Sequence, residues 1–371
     1  MNFSKLEKYE AVFLIVNIII AHVILNLPKD LFTVTGTATP LNVIYVSILA
    51  IFFVYFVSRL FKKFNNSDIL DISGFLGGKL LKIALGVIYI IYLLLLSGGL
   101  LRNFAEELKI IYFPSIPITY ILLFFAVAIV VANSIDFKAL AKANMLITIV
   151  VLISMIVIFV SVSGSYMPEK MYPILGYGAK TTFVNGLENI YAFSGIILLF
   201  LLPPLLKNKD DFKKVSIVSI AFSAVYLLLS IVSLLFTFST VINLDYISLM
   251  YLLTRSVEYG RFFQRADAIF ILFWVISLMS YLSIIMSYIL YTFKKITNIK
   301  NSRAMVYSFA LLLIWASLLN KSYSQFKDFY HIVKYAQLVI VFGISTTILI
   351  LANIKKKRTR LKESEENQNE S

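Results

Sequence analysis

The sequence predicts an all-α integral membrane protein: ten transmembrane helices arranged as two inverted five-helix repeats, with helices 1 and 6 broken. Three observations carry that prediction. Of 371 residues, 60% are hydrophobic and only 15% are charged, whereas a water-soluble domain carries nearer half and a quarter. The apolar residues gather into ten runs, each close to the roughly 20 residues that a membrane-crossing helix needs. Two of those runs, five apart in order, are interrupted by polar residues, Gly or Pro.

In chain order the runs occupy 11–28, 41–58, 83–101, 116–131, 143–167, 183–206, 215–242, 268–293, 304–320 and 331–354. Little chain remains for a soluble domain. Residues 1–354 therefore read as one transmembrane domain, with repeats near 9–168 and 183–354, and 355–371 as a disordered cytoplasmic tail. Lys5 and Lys8 precede the first run, but no small-x-small cleavage site follows it, so it reads as a mature span rather than a signal peptide. Short cytoplasmic loops retain basic residues. Of the 34 Lys and Arg, 23 fall on the side of the N-terminus, which predicts that both termini are cytoplasmic. The longest stretches outside the runs are 59–82 and 243–267, and the second contains a short apolar piece, 247–254, expected to lie at the membrane interface.

Composition excludes several kinds of chemistry. The chain has no cysteine, hence no disulfide, thiolate zinc site, iron–sulfur cluster or Cys nucleophile. Two histidines, His22 and His331, are too few for an imidazole metal site. No His lies at acid–base spacing from a carboxylate, no phosphate loop follows a strand, and no Ser occupies an elbow motif. Enzyme activity, a metal and a cofactor are not expected. The net charge of +14 is divided among short clusters rather than gathered on one face, so nucleic acid is not an expected partner. The cluster Lys355-Lys-Lys-Arg358 suits anionic lipid instead.

Candidate binding residues come from the interruptions. In the first run, Asn17 and Ala21-His22-Val23 precede Ile24-Leu-Asn-Leu-Pro28; in the sixth, Ala192-Phe193-Ser194-Gly195 precedes Pro203-Pro204. Broken helices at matching positions of two halves point to an inverted-repeat transporter fold, with a site near the membrane midplane lined by unwound backbone. Ser97 and Gly98 in the third run, with Trp274, Ser277 and Tyr281 in the eighth, add small and polar positions. Ser277, Ser280, Tyr281 and Ser287 share one helix face, although Ile284 interrupts it, and that gap favours helix–helix hydrogen bonding over a cavity as the account of the stripe. Glu188 and Lys334 fall near run ends, where interfacial solvation is the simpler reading. His22 is the central ionisable group, placed either to bind a ligand or to bond a neighbouring helix.

These residues resemble a family, the permease-like B subunit of endospore nutrient germinant receptors, within the amino acid-polyamine-organocation superfamily. The carriers are Ile24-Leu-Asn-Leu-Pro28, Leu101-Arg102-Asn-Phe104-Ala-Glu106, Tyr191-Ala-Phe193-Ser-Gly195 with Pro203, and Arg261-Phe-Phe-Gln-Arg265-Ala-Asp267 leading to Trp274. The chain departs from the family pattern at Ala21-His22-Val23, where a small Gly/Thr/Ser-rich break is usual, and at Ile196-Ile197, where an acidic residue often follows the glycine. Both departures argue against copying a proton-coupling role. The resemblance implies a LeuT-like fold and a subunit of the spore inner membrane that binds a small nutrient, typically an amino acid. It also implies a larger A-type membrane subunit and a C-type lipoprotein subunit as partners. A secondary transporter of amino acids or polyamines is the alternative, because the fold does not decide between sensing and transport.

Overall fold

The computed structural model describes residues 3–25, 27–64, 66–238, 248–257, 266–299, 304–319 and 323–369. Asn26, Ile247, the string 261–265 and the two terminal residues 1 and 371, all used above, lie outside the described residues. The helices are α1 (Lys8–Ile24), α2 (Leu27–Thr35), α3 (Thr39–Phe61), α4 (Ile69–Ile111), α5 (Ile118–Ala132), α6 (Phe137–Val162), α7 (Ala179–Phe183), α8 (Ile196–Leu199), α9 (Asp211–Thr237), α10 (Leu249–Arg255), α11 (Ala266–Thr297), α12 (Met305–Ser317), α13 (Tyr323–Leu338) and α14 (Thr346–Asn369). Among the described residues the strand-like pairing is an isolated bridge, Leu6 with Leu206.

Among the described residues, six helical stretches are long and apolar enough to cross a membrane: Leu27–Phe61, Ile69–Ile111, Phe137–Ser165, Asp211–Thr237, Phe270–Thr297 and Phe329–Thr359. The shorter apolar helices α5 and α12 correspond to the fourth and ninth runs. The first and sixth runs are the broken ones, so each of the ten predicted segments has its counterpart. Several boundaries differ from expectation. Residues 59–82 are not an open loop: α4 starts at Ile69 and turns at Gly77 and Gly78, where Gly78 takes a φ of 71° that costs glycine nothing. The piece near 247–254 becomes α10, whose Met250, Tyr251, Leu253 and Thr254 are buried against the bundle. The segment 355–369 continues α14 as helix, in keeping with the high helix propensity of its Lys, Arg and Glu.

α1 is the bundle's centre. From Glu10 to Ile24 only Phe13 escapes burial, and α1 packs on α6, α9 and α11. A helix apolar on all sides belongs inside a bundle rather than at its surface. Lipid tails offer no hydrophobic reward for helix association, so small residues and interhelical hydrogen bonds hold such bundles together. Both are present. A Cβ on Gly98 would lie 2.7 Å from the Ala316 Cβ, which places α4 and α12 almost in backbone contact. α11 carries serines that bond asparagines of its neighbours: Ser280 donates to Asn144 of α6 at 2.8 Å, and Ser287 to Asn133 at the end of α5 at 2.8 Å.

At the end of the bundle that holds the N-terminus, the chain is clasped. The Leu6 N–H donates to Leu205 O at 2.7 Å and the Lys207 N–H to Leu6 O at 2.9 Å. The Lys207 ammonium donates to Glu7 at 2.7 Å and holds that carboxyl below its ordinary range. Lys295 of α11 bridges Asp68 and Asp71 at the start of α4, at 2.6 and 2.5 Å. The Ile69 N–H, next in the chain, donates to Phe200 O at 3.0 Å.

Candidate functional site

The first break falls at Leu25, whose backbone (φ −84°, ψ −127°) is not helical. That is later than the Ala21-His22-Val23 position suggested by polar side chains. Proline explains the shift: Pro28 has no N–H to offer the Ile24 carbonyl four residues back. The freed carbonyls find a partner far away in sequence. Ser248, the residue before α10, donates its hydroxyl to Ile24 O at 2.9 Å and lies 3.4 Å from Leu25 O.

The sixth segment is broken far more extensively. Asn185–Phe193 forms a tight 3₁₀ helix, Ile196–Leu199 a single α turn, and Pro203–Leu205 another 3₁₀ turn. Ser194 and Gly195 join the first two. A Cβ on Gly195 would sit 3.2 Å from Ile15 O and equally close to the Ile15 and Ile19 side chains. Glycine here lets the unwound segment lie directly on α1.

Four of the predicted residues pair where α1 faces α11. Ser277 donates to Asn17 Oδ1 at 3.3 Å, and the Tyr281 hydroxyl lies 3.3 Å from His22 Nε2, the two rings edge to face. Trp274, one turn before Ser277, stacks edge-on against Phe104 of α4 at 4.7 Å and tilts against Phe270 at 5.4 Å. Ala192, Phe193 and Ser194 are buried in the sixth segment, which packs on α1, and Gly195 lies against Ile15 and Ile19 of α1. Ala21 and Val23 are buried in α1 and offer only apolar surface. Ser97 and Gly98 are not part of this seam as placed: Ser97 bonds back to Leu93 O at 2.6 Å, and Gly98 serves the α4–α12 contact.

Three of the predicted residues carry buried polar atoms without a hydrogen-bond partner: Asn17 Nδ2, Ser194 Oγ and Trp274 Nε1. Buried polar groups are nearly always paired with protein, water or ligand. These three atoms, on α1, the sixth segment and α11, are among eleven such atoms in the described residues and are free to bond a polar solute or water.

A second polar group, not anticipated as a site, lies between α2, the sixth segment and α13. The Tyr191 hydroxyl donates to Asp30 of α2 at 3.1 Å and hydrogen-bonds that of Tyr330. Lys334 sits 4.1 Å above the Tyr191 ring and 3.5 Å from Glu188. Gln337 accepts from Tyr92 of α4 at 3.2 Å and lies 3.5 Å from Tyr191 O. Lys334 is thus buried and paired rather than solvated at an interface. The available signal was the spacing of Tyr330, Lys334 and Gln337, which places all three on one helix face.

A family model described as Spore germination protein, of the spore permease type, matches residues 5–325. The chain belongs to that family. Among curated proteins, none matches this spore permease family member. Among solved structures, a substrate-bound, outward-open Na+-coupled sialic acid symporter is similar with a TM-score of 0.59 at 11% identity; the match covers 93% of this chain and 75% of that one. At that identity the likeness speaks to fold alone, and it fits the ten-helix, two-repeat LeuT-like class. This spore permease family member is therefore a multi-pass membrane protein whose first and sixth helices are broken side by side.

Breaks of this kind have defined chemistry. An unwound helix offers N–H groups to a carboxylate and carbonyls to an ammonium, without any charged side chain. On these elements the large buried side chains are Phe193, Trp274 and Tyr281, and Asn17, Ser194 and Trp274 carry unpartnered polar atoms.

Proposed function

We propose that this member of the spore germination permease family is the nutrient-sensing subunit of a germinant receptor, and that it binds a small solute, an amino acid, where α1 and the sixth segment are broken. The observation that supports this most is the trio of unpartnered buried polar atoms, Asn17 Nδ2, Ser194 Oγ and Trp274 Nε1. Solute bonding at these atoms favours one arrangement of the bundle, and partner subunits read the population shift. Those partners are an A-type membrane subunit and a C-type lipoprotein subunit. The setting is the spore inner membrane, with both termini cytoplasmic and residues 9–168 and 183–354 as the two repeats. The cluster of Asp30, Glu188, Tyr191 and Lys334 closes the site on the α2 side, and its contacts part for a solute to enter there.

Secondary transport of amino acids or polyamines is the second reading, and the adjacent broken helices favour it. Coupling to protons generally requires a titratable group inside the membrane, and on the α1–α11 seam that group is His22. Reconstituted protein is expected to take up radiolabelled amino acid only to the extent of stoichiometric binding, without change on adding a protonophore. His22→Asn, which keeps a hydrogen-bond donor for Tyr281, should leave that binding in place. Concentrative uptake that collapses with the proton gradient and disappears in His22→Asn would establish transport instead.

A further inference from the structure

The sequence carries clusters of basic residues at the N-terminal end of the bundle, and one of them is shaped. Between the end of α3 and the start of α9 lies a cavity of about 370 Å³ lined by Tyr55, Arg59, Lys62, Asn66, Lys209 and Lys213, with Phe61, Phe64, Phe212 and Pro203 as apolar wall. None of the four cations has a carboxylate partner among the described residues; Asp210 lines the same cavity without bonding any of them. Arg59 and Lys213 share the Tyr55 ring, with their charged groups 5.6 and 4.7 Å from its centre. Two like charges held on one ring repel each other unless an anion joins them. Asn66, held at a φ of 56°, adds a buried Oδ1 with no hydrogen-bond partner.

The surroundings select the source of the anion. On α3, Ile44, Ile48, Phe52 and Phe56 are exposed at helical spacing, and Arg59 comes next on the same stripe. On α9, Val218, Phe222, Val225 and Leu229 form a second exposed apolar stripe. In a membrane protein such stripes face acyl chains, so the cavity lies at the depth where apolar side chains give way to cations and a tyrosine. Basic pockets between membrane helices at that depth bind anionic headgroups. We infer that this cavity is a binding site for an anionic phospholipid, its phosphodiester held by Arg59, Lys62, Lys209 and Lys213 and a headgroup hydroxyl donated to Asn66. The lipid would pin α3 to α9 directly beside Pro203, where the sixth segment ends.

The test uses the full chain in detergent, titrated with phosphatidylglycerol, phosphatidylcholine or inorganic phosphate while thermal unfolding is followed. Phosphatidylglycerol should raise the melting temperature saturably, and the other two should not. Arg59→Gln, Lys62→Gln and Lys213→Gln should each weaken the phosphatidylglycerol effect about fivefold in half-saturating concentration, and Lys79→Gln, a basic residue outside the cavity, should not. Asp210→Asn should tighten it, a gain that misfolding cannot imitate. Equal effects of the two lipids, an equal effect of free phosphate, or cavity variants that titrate like Lys79→Gln would each overturn the assignment.

Discussion

Replacing Asn42 with alanine is expected to destabilise the protein more than any other single polar-to-alanine change near the broken helices. Asn42 lies in the first turn of α3 and is fully buried. Its Nδ2 donates to Thr182 O at 2.8 Å and to Gly186 O at 3.0 Å, and its Oδ1 accepts from Asn189 at 2.8 Å. Those three groups belong to α7 and the 3₁₀ stretch that opens the sixth segment, so Asn42 ties α3 to both. Truncation removes all three bonds in a buried place. Buried orphans cost about 1–3 kcal/mol each in soluble proteins, but interhelical bonds in membranes average nearer 0.6; together about 2–4 kcal/mol is expected. Thermal unfolding in detergent should show a lower melting temperature for Asn42→Ala, with Asn42→Gln intermediate. Gly186 belongs to the same contact: a Cβ there would run into the Asn42 amide, so Gly186→Ala should act in the same direction.

Lys334→Met is expected to have the second largest effect and to change binding as well as stability. The Lys334 side chain is 3% exposed and its partner Glu188 25%. Removing one partner of a fully buried pair costs about 3–5 kcal/mol; because Glu188 keeps some solvent, about 2–3 kcal/mol is the expected loss. The cation also interacts with the Tyr191 ring, and Tyr191 in turn holds Asp30. Lys334→Met therefore leaves Glu188 with the Tyr335 hydroxyl but no cation and loosens the contact between α2, the sixth segment and α13. Glu188→Gln combined with Lys334→Met should be less destabilised than the sum of the single changes, while Lys334→Arg should keep most of the stability. Additive losses in that cycle would mean that the pair does not act as a unit.

How much of this was legible in sequence depends on where each feature's partner lies. Apolar runs need no partner, so the ten segments and the two broken helices can be read directly. The exact place of the first break needed the proline rule rather than polar residues: Asn17 and His22 stay helical and turn their side chains to α11, whereas Pro28 offers the Ile24 carbonyl no N–H and leaves it to Ser248. Ser277, Ser280 and Ser287 could be placed on one face, but their acceptors, Asn17, Asn144 and Asn133, lie on three other elements. Lys334 looked like an interfacial charge because its partners Glu188 and Tyr191 sit more than 140 positions away. Ser97 and Gly98 read as candidate binding positions; the close approach of Ala316 makes Gly98 a packing residue, and only a neighbouring helix could reveal that.

The central claim is that the broken first and sixth segments form a solute site, and the absence of native cysteine makes it directly measurable. Ser194→Cys places a single thiol at the junction, and its rate of reaction with a small alkylating reagent reports access to that point. In reconstituted membranes, an amino acid that binds the protein should slow labelling about tenfold when present at about ten times its dissociation constant. A thiol at residue 194 that reacts at the same rate with and without a solute shown to bind would place the binding site elsewhere and contradict the account.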